Sequence, residues 1–510
     1  MCQKEKSLGL TKRRNTMKKV VVIIALMAMS FGAAIPAFAD SSMDMMSMLE
    51  SMKQQMTKMQ ATIDSQNQRI QQLETSRTIE RPTMSGTGTT LEPGAAATNL
   101  TNDEWQKGIK DNIGDAIPWL KGAKYGGDFR LRGESFDYFK KSNNSGSTGT
   151  SGDRSRNRFR IRLRWGFEKD YMDDWKVGFR LATGSTTDQT STNQTLGNSS
   201  HFNFKSINVE KAYVTYEPNG MKDYGLIKGV KVSAGKTDNP FLRYSTPIVW
   251  DGDVTPEGVY EQVTLGLVST EETKLNLYGT LGQFITAENS GTELDAGLYG
   301  YQGALNLSTY GFHTDMPVDI TGAVSYYDYT NWAQTIAAAN NGSATSYLRT
   351  NTTIADDFRV LDIYPEVQFY WGRTPIVTWY DYAVNTANVG TEDAAGSSGN
   401  DIHDADQAWG AGLKVGKIKK KGSWEAFYGY YEIGGNAVVA AFNDSDFGGP
   451  GQAGYTNRQG HKFGGGYALT DAVTLNWTAF IVRPLHATTV VANSTDESVF
   501  RSQVDLNYKF

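Results

Sequence analysis

Cysteine is almost missing from this chain: Cys2 is the only one in 510 residues, and it lies ahead of the point where a leader would be cut away. A mature chain without cysteine has no disulfide, thiolate metal site, cysteine nucleophile or C-x-x-C-H haem site. Histidine is also scarce. His201, His313, His403, His461 and His486 are scattered without ligand spacing. Asp401, Asp404 and Asp406 surround His403, but so loosely that a solvated acidic loop is the expected reading, with no metal and no cofactor. Nothing marks a serine, base and orienter brought together, so no enzyme is expected. Long apolar runs are missing except near the start, whereas a helical membrane protein needs several of about 20 residues. No sign of charge dominates: the net charge is −5 and the pI about 5.7, which excludes a general nucleic-acid binder.

The one apolar run has the pattern of a secretory leader. Met17-Lys18-Lys19 precedes VVVIIALMAMSFGAAIPAFA, which ends in Ala37-Phe38-Ala39 before Asp40. Residues 1–39 are therefore expected to form a signal peptide. Residues 1–16 lie upstream of a complete signal, so Met17 competes with Met1 as the start. The alternative for the run is a lone membrane anchor. Residues 43–77 follow a heptad pattern, with Leu49, Met56, Ile63 and Ile70 at a and Met52, Met59, Gln66 and Leu73 at d. This predicts a short coiled coil; the alternative is one amphipathic helix lying on a surface. Residues 78–123 read as a linker and a short helix. Prolines and Gly/Thr runs fill Arg81 to Leu100, and Thr101-x-x-Glu104 resembles a capping box.

From Lys124 the period changes to two. In RSRNRFRIRLRWGF, six arginines from Arg154 to Arg164 take every second position, with Phe159, Ile161, Leu163, Trp165 and Phe167 between them. On a helix these residues would mix around the circumference, whereas on a strand they separate onto two faces. About sixteen such segments are expected, at 124–136, 156–169, 174–184, 206–217, 226–236, 257–268, 272–286, 297–307, 316–328, 358–371, 374–385, 405–417, 421–432, 459–469, 472–483 and 497–510. Both faces are mixed in 206–217, 257–268 and 374–385. Short connections alternate with long ones rich in Gly, Ser, Asn, Thr and Asp. A soluble sandwich has no reason to send every long loop to one end, but a transmembrane barrel does. Trp165, Phe167, Tyr171 and Trp175 flank one short turn, and Trp371, Trp424, Tyr508 and Phe510 lie at the same expected end, as an interfacial girdle would. The fold class is thus all-β: a transmembrane antiparallel barrel of about 16 strands over 124–510, preceded by a short α-helical coiled coil. Its final stretch, SVFRSQVDLNYKF, resembles the terminal signal read by the outer-membrane barrel assembly machinery.

GGDFRLRGE, RNRFRIRLRWGFEKD, DDWKVGFRLATG, STNQTLGN, EKAYVTYEP, SAGKTDNPF and VWDGDVTPEGV together resemble the putative porins of Gram-negative bacteria. The resemblance covers roughly 124–510. It implies an outer-membrane pore with its coiled coil in the periplasm, a homotrimer, and a third external loop folded into the lumen.

With the apolar partners facing lipid, Arg130, Arg132, Arg158, Arg160, Arg162, Arg164, Lys176 and Arg180 would form a basic lumen wall. The reverse orientation would cost roughly 2–4 kcal/mol for each basic residue near the midplane. Asp238, Asp251, Asp253 and Glu257 of the third long loop would face that wall across a constriction. Such a pore would pass small hydrophilic solutes, including anions. The competing role for the arginines is bracing, by pairing with Asp128, Glu134 or Glu168. The competing function is a structural or scaffold barrel, a periplasm-spanning tether with little conductance.

Overall fold

The computed structural model describes residues 122–138, 155–186, 188–197, 202–242, 246, 248–288, 294–310, 316–332, 358–387, 406–448, 456–485 and 498–510. The expected signal peptide, the coiled coil and nearly all of the linker lie outside the described residues, as do His403, Asp401 and Asp404.

The strands are β1 (Lys124–Tyr138), β2 (Arg156–Tyr171), β3 (Trp175–Thr183), β4 (Gln194–Thr195), β5 (Ile207–Tyr216), β6 (Ile227–Lys236), β7 (Glu257–Ser269), β8 (Thr273–Ala287) and β9 (Ala296–Thr309). They continue as β10 (Val318–Thr330), β11 (Phe358–Trp371), β12 (Thr374–Asn385), β13 (Gln407–Gly416), β14 (Trp424–Ile433), β15 (Arg458–Ala468), β16 (Val473–Pro484) and β17 (Val499–Lys509). All belong to one antiparallel sheet, and β1 pairs with both β2 and β17, which closes it. β4 is a two-residue strip laid on β2 at Arg160 and Ile161, while β3 pairs onward with β5. The result is a closed barrel of 16 staves. Each expected strand span holds one stave, with ends that agree to within about three residues.

Alternation sets the two faces. Phe129, Leu131, Phe159, Leu163 and Trp165 are exposed on the outer wall, while Arg132 and Arg160, between them in sequence, are buried on the inner one. The segments with mixed faces have physical reasons. β5 faces a register shift between Arg180 and Leu181, and β7 has shifts on both sides, at Ile227/Gly229 and Gly266/Val268. Each shift places an extra residue in one strand and flips the alternation. On β12 the inward face is itself mixed: Trp379 and Ala383 join a hydrophobic cluster inside the barrel, while Asp381 and Asn385 are buried on the same face.

Successive staves run antiparallel, so connections alternate between the two ends. Short turns at 172–174, 270–272, 372–373 and 469–472 lie at one end; connections such as 184–206, 237–256 and 434–457 lie at the other. The two-residue turn at Gly372 needs a left-handed residue, and Gly372 has φ +60°. Phe510 sits at the seam, where its backbone N–H donates to Gly127 O at 3.2 Å and its carbonyl accepts from Gly127 N at 3.0 Å.

The lumen is partly filled. Phe241, Ile248, Val249, Trp250 and Val254 of connection 237–256 are buried in one cluster with Ala437, Val438, Val439, Ala441 and Phe447 of connection 434–457. The wall contributes Tyr260, Phe284, Leu298, Tyr327, Tyr329 and Phe358. Trp250 lies 5.4 Å from Tyr327 and 5.7 Å from Phe442 between ring centroids. Phe241 meets Tyr327 edge-on at 5.0 Å, a favoured aromatic geometry. Gly300 makes room for that ring: a Cβ there would lie 2.1 Å from Phe241 Cζ.

Candidate functional site

The opposite side of the lumen is ionic. Arg132 donates from Nε and Nη2 to both oxygens of Asp505, at 2.7 and 2.8 Å, and from Nη1 to Asp446 at 2.9 Å. Asp446 also accepts from Arg501 Nη2 at 2.6 Å. Arg501 pairs in turn with Glu134, which accepts from Gln503 Nε2 at 2.8 Å and pairs with Arg158. This chain joins β1, β2 and β17 to connection 434–457. A second group centres on Asp128, which accepts from Arg162 Nη2 and Arg164 Nε at 2.7 Å each. Arg164 also lies 3.9 Å from Glu210 and 3.8 Å from Asp253. Glu210 binds Arg180, with Nη2 at 2.7 Å. A guanidinium cannot be buried without such partners, because desolvating an unpaired charge costs several kcal/mol even after relaxation, on the order of the whole stability margin.

Three connections meet this wall. Thr192 donates from N and Oγ1 to Asp253 Oδ2 at 3.2 and 3.0 Å. Ser445 donates from N to Asp251 Oδ2 at 2.8 Å and from Oγ to Thr190 O at 3.0 Å. Gln189 Nε2 reaches Ala441 O at 2.8 Å. Between the connections and the wall lies a cavity of about 380 Å³, lined by Arg130, Arg162 and Lys462 on the wall and by Asp251, Asp253, Asp444 and Asp446 on the connections. Burial alone would raise the Asp446 carboxyl, but Arg501, Arg132 and Arg160 hold it well below the usual carboxylate range. Asp253 is lowered in the same way, with burial opposed by Arg162, Arg130 and Arg164. Asp251 goes the other way: burial, Asp444 and Asp253 all push it up.

The expected acids of the third loop separate into two pairs. Asp251 and Asp253 line the cavity, but Asp238 and Glu257 are not among its lining residues. Asp238 pairs with Lys211, and Glu257 with Lys236 at 2.6 Å, both carboxylates well exposed. Asp238 follows β6 by two residues and Glu257 opens β7, so each sits where the connection leaves or rejoins the wall. Of the expected basic residues, Arg132, Arg158, Arg162, Arg164 and Arg180 meet carboxylates as described. Lys176 pairs with Glu168 at 3.3 Å beside a short turn. Arg130 and Arg160 bind the neutral residues Ser191 and Asn193.

A family described as Putative porin matches residues 110–354 and 334–510. The chain belongs to this family. It is therefore an outer-membrane channel of a Gram-negative bacterium. Solved structures similar to this porin include the high-pH structure of Pseudomonas putida OprB, at 10% identity over 78% of this chain and 97% of that one, TM-score 0.43. Salmonella typhi OmpF in complex with daunomycin matches at 12% identity over 76% and 98%, TM-score 0.40. The outer membrane channel DcaP of Acinetobacter baumannii matches at 17% identity over 76% and 98%, TM-score 0.37. Among curated proteins none matches.

Sequence reading missed Asp444, Asp446 and Lys462 of the cavity lining, together with Arg501, which pairs with Asp446, and Asp505, which pairs with Arg132. One signal was available. NAVVAAF at 436–442 is an apolar run inside an otherwise polar connection, and such a run needs a buried surface to cover it.

Proposed function

We propose that this chain is a passive diffusion porin for small hydrophilic solutes, with a modest preference for anions. The supporting observation is the charged cavity of about 380 Å³ inside a closed barrel. Walls of Arg and Lys favour anions, and carboxylates favour cations. Here the two face each other, so most positive charge is matched and the preference is small. The field between them sorts polar solutes by dipole as well as by charge. Planar-bilayer recording tests this. Replacing Arg160 and Arg162 by Gln should shift the reversal potential in a salt gradient toward cations, more at low salt than at high. An unchanged reversal potential, with conductance intact, would show that the ladder only braces the barrel.

The second reading is a scaffold barrel with little conductance. It is favoured by the apolar cluster that occupies one side of the lumen. Absence of channel activity in bilayers would select it.

The reading extends to assembly. The leader is removed after Ala39, the barrel assembly machinery acts on the terminal strand, and the mature chain is a homotrimer in outer-membrane lipid with its coiled coil, residues 43–77, in the periplasm. The unbroken heptad seam supports association, and polar Gln66 at d would set register. Sedimentation of the intact protein as a monomer would sink this part.

A further inference from the structure

Arg130 and Arg160 differ from the other six residues of the basic wall. Arg132, Arg158, Arg162, Arg164, Lys176 and Arg180 each lie within 3.3 Å of a carboxylate. Arg130 comes no nearer than 3.9 Å to Asp505, which already holds Arg132 through both oxygens. Among the described residues Arg160 has no ion pair. Both guanidiniums converge instead on one neutral strip. Arg130 Nη2 donates to Asn193 Oδ1 at 2.5 Å, and Arg160 Nη2 donates to Asn193 O at 3.4 Å and Ser191 Oγ at 3.1 Å. Neutral amides would anchor that strip without the cost of burying two like charges. The Nε–H of each arginine is buried and has no acceptor. A buried donor left unmade costs free energy comparable to a lost hydrogen bond, and neither guanidinium has a closely matched carboxylate, so positive charge at this strip is open to an anion entering the cavity beside Arg130.

We propose that Arg130, Arg160 and Asn193 form a subsite for the single carboxylate of a small solute passing the constriction. This rests on the diffusion reading given above and adds a bound state to it. The planar fork of a guanidinium matches a carboxylate. Arg130 and Asn193 both line the cavity, and Arg160 backs the same asparagine. The rest of the lining limits the ligand to one negative charge. Asp253, Asp444 and Asp446 would repel a second carboxylate, while a hydroxyl or ammonium tail would meet acceptors there. The cavity, about 380 Å³, lies at the small end of ligand sites, which suits a solute of a few heavy atoms bearing one carboxylate.

Glycolate is the probe and succinate its dianionic comparison. In bilayers, glycolate current through the native protein should saturate with concentration, whereas succinate current should stay close to linear. The Arg130→Gln/Arg160→Gln double variant should raise the half-saturating glycolate concentration about tenfold, the loss of one or two charge-assisted bonds. Lys176→Gln should change it less than about twofold, since Lys176 pairs with Glu168 beside a short turn and does not line the cavity. A linear glycolate current in the native protein overturns the subsite, as does an unchanged half-saturation in the double variant. The native-protein measurement stands even if the variant does not fold. A barrel that conducts nothing would sink the diffusion reading alone. The subsite is then read from the thermal unfolding of the detergent-solubilised native protein, which glycolate should raise and succinate should not. No shift with glycolate would overturn it.

Discussion

The two sides of this barrel's interior are filled in opposite ways. Along β1, β2 and β17, arginines meet acids and the wall borders a polar cavity. Along β7 to β14, Tyr260, Phe284, Tyr327, Tyr329 and Tyr431 cover the inserted connections with a closed apolar core. Apolar surface can be buried against any other apolar surface of suitable shape, but a buried cation needs a specific partner at a specific distance. Connection 434–457 serves both sides. Its Ala437–Ala441 stretch packs into the core, and a few residues on, Asp444 and Asp446 reach Lys462, Arg132 and Arg501. The apolar side therefore positions the acids that the ionic side requires.

The strongest way to break this comparison is Arg501→Ala. It leaves Glu134 and Asp446 buried without their shared cation, which should cost about 3–5 kcal/mol. The checking measurement is the temperature at which the barrel loses its heat-modifiable mobility in detergent gels. A fall no greater than that from an exposed pair would mean that the ionic side is dispensable.

Next is Trp250→Ala, on the apolar side. Removing a buried Trp costs about 3 kcal/mol at the low end, apt here because Trp250 Nε1 has no acceptor. The third-loop connection should loosen and single-channel conductance should rise. Unchanged conductance would show that the ionic contacts alone hold the constriction.

Acid probes the ionic side through the carboxylates of its connections. Asp446 and Asp253 are held below their ordinary range, so their stabilisation is fully present above the unfolded carboxylate value of about 3.9 and is lost as pH falls through the lower folded values. From these two groups no change in conductance is expected between about pH 5 and 8, and a change only below about pH 4. A transition near pH 6 that Asp446→Asn or Asp253→Asn abolishes would contradict the geometry, whereas one abolished by Asp251→Asn would not.

The smallest effect should come from Lys176→Gln. Its partner Glu168 and its own side chain are both partly exposed, so the pair is worth about 0–1 kcal/mol. Neither heat-modifiability nor ion selectivity should move measurably; a clear loss of selectivity would extend the working wall down to the short-turn end.

Sixteen staves and their two faces could be read from the chain because alternation is a property of neighbours in sequence. Phe159 and Arg160 must point opposite ways on any strand, and lipid on one side decides which face is wet. The third loop's acids could also be found, but not their distribution: Asp253 reaches Arg164 while Glu257, four residues on, stays with Lys236 at the wall.

The sequence by itself determined the stave pattern, the outward apolar face and the alternation of short and long connections. Each follows from local period and turn length. Only the closed structure decided which arginines are matched. Arg132 and Asp505 are 373 positions apart and meet because β1 closes on β17, and Arg501 meets Asp446 because an apolar run 436–442 carries that connection inward. Arg130 and Arg160 stand apart for the same reason. Their surroundings are set by a strip that lies against β2, so identical residues on one ladder acquire different partners once the chain closes around them.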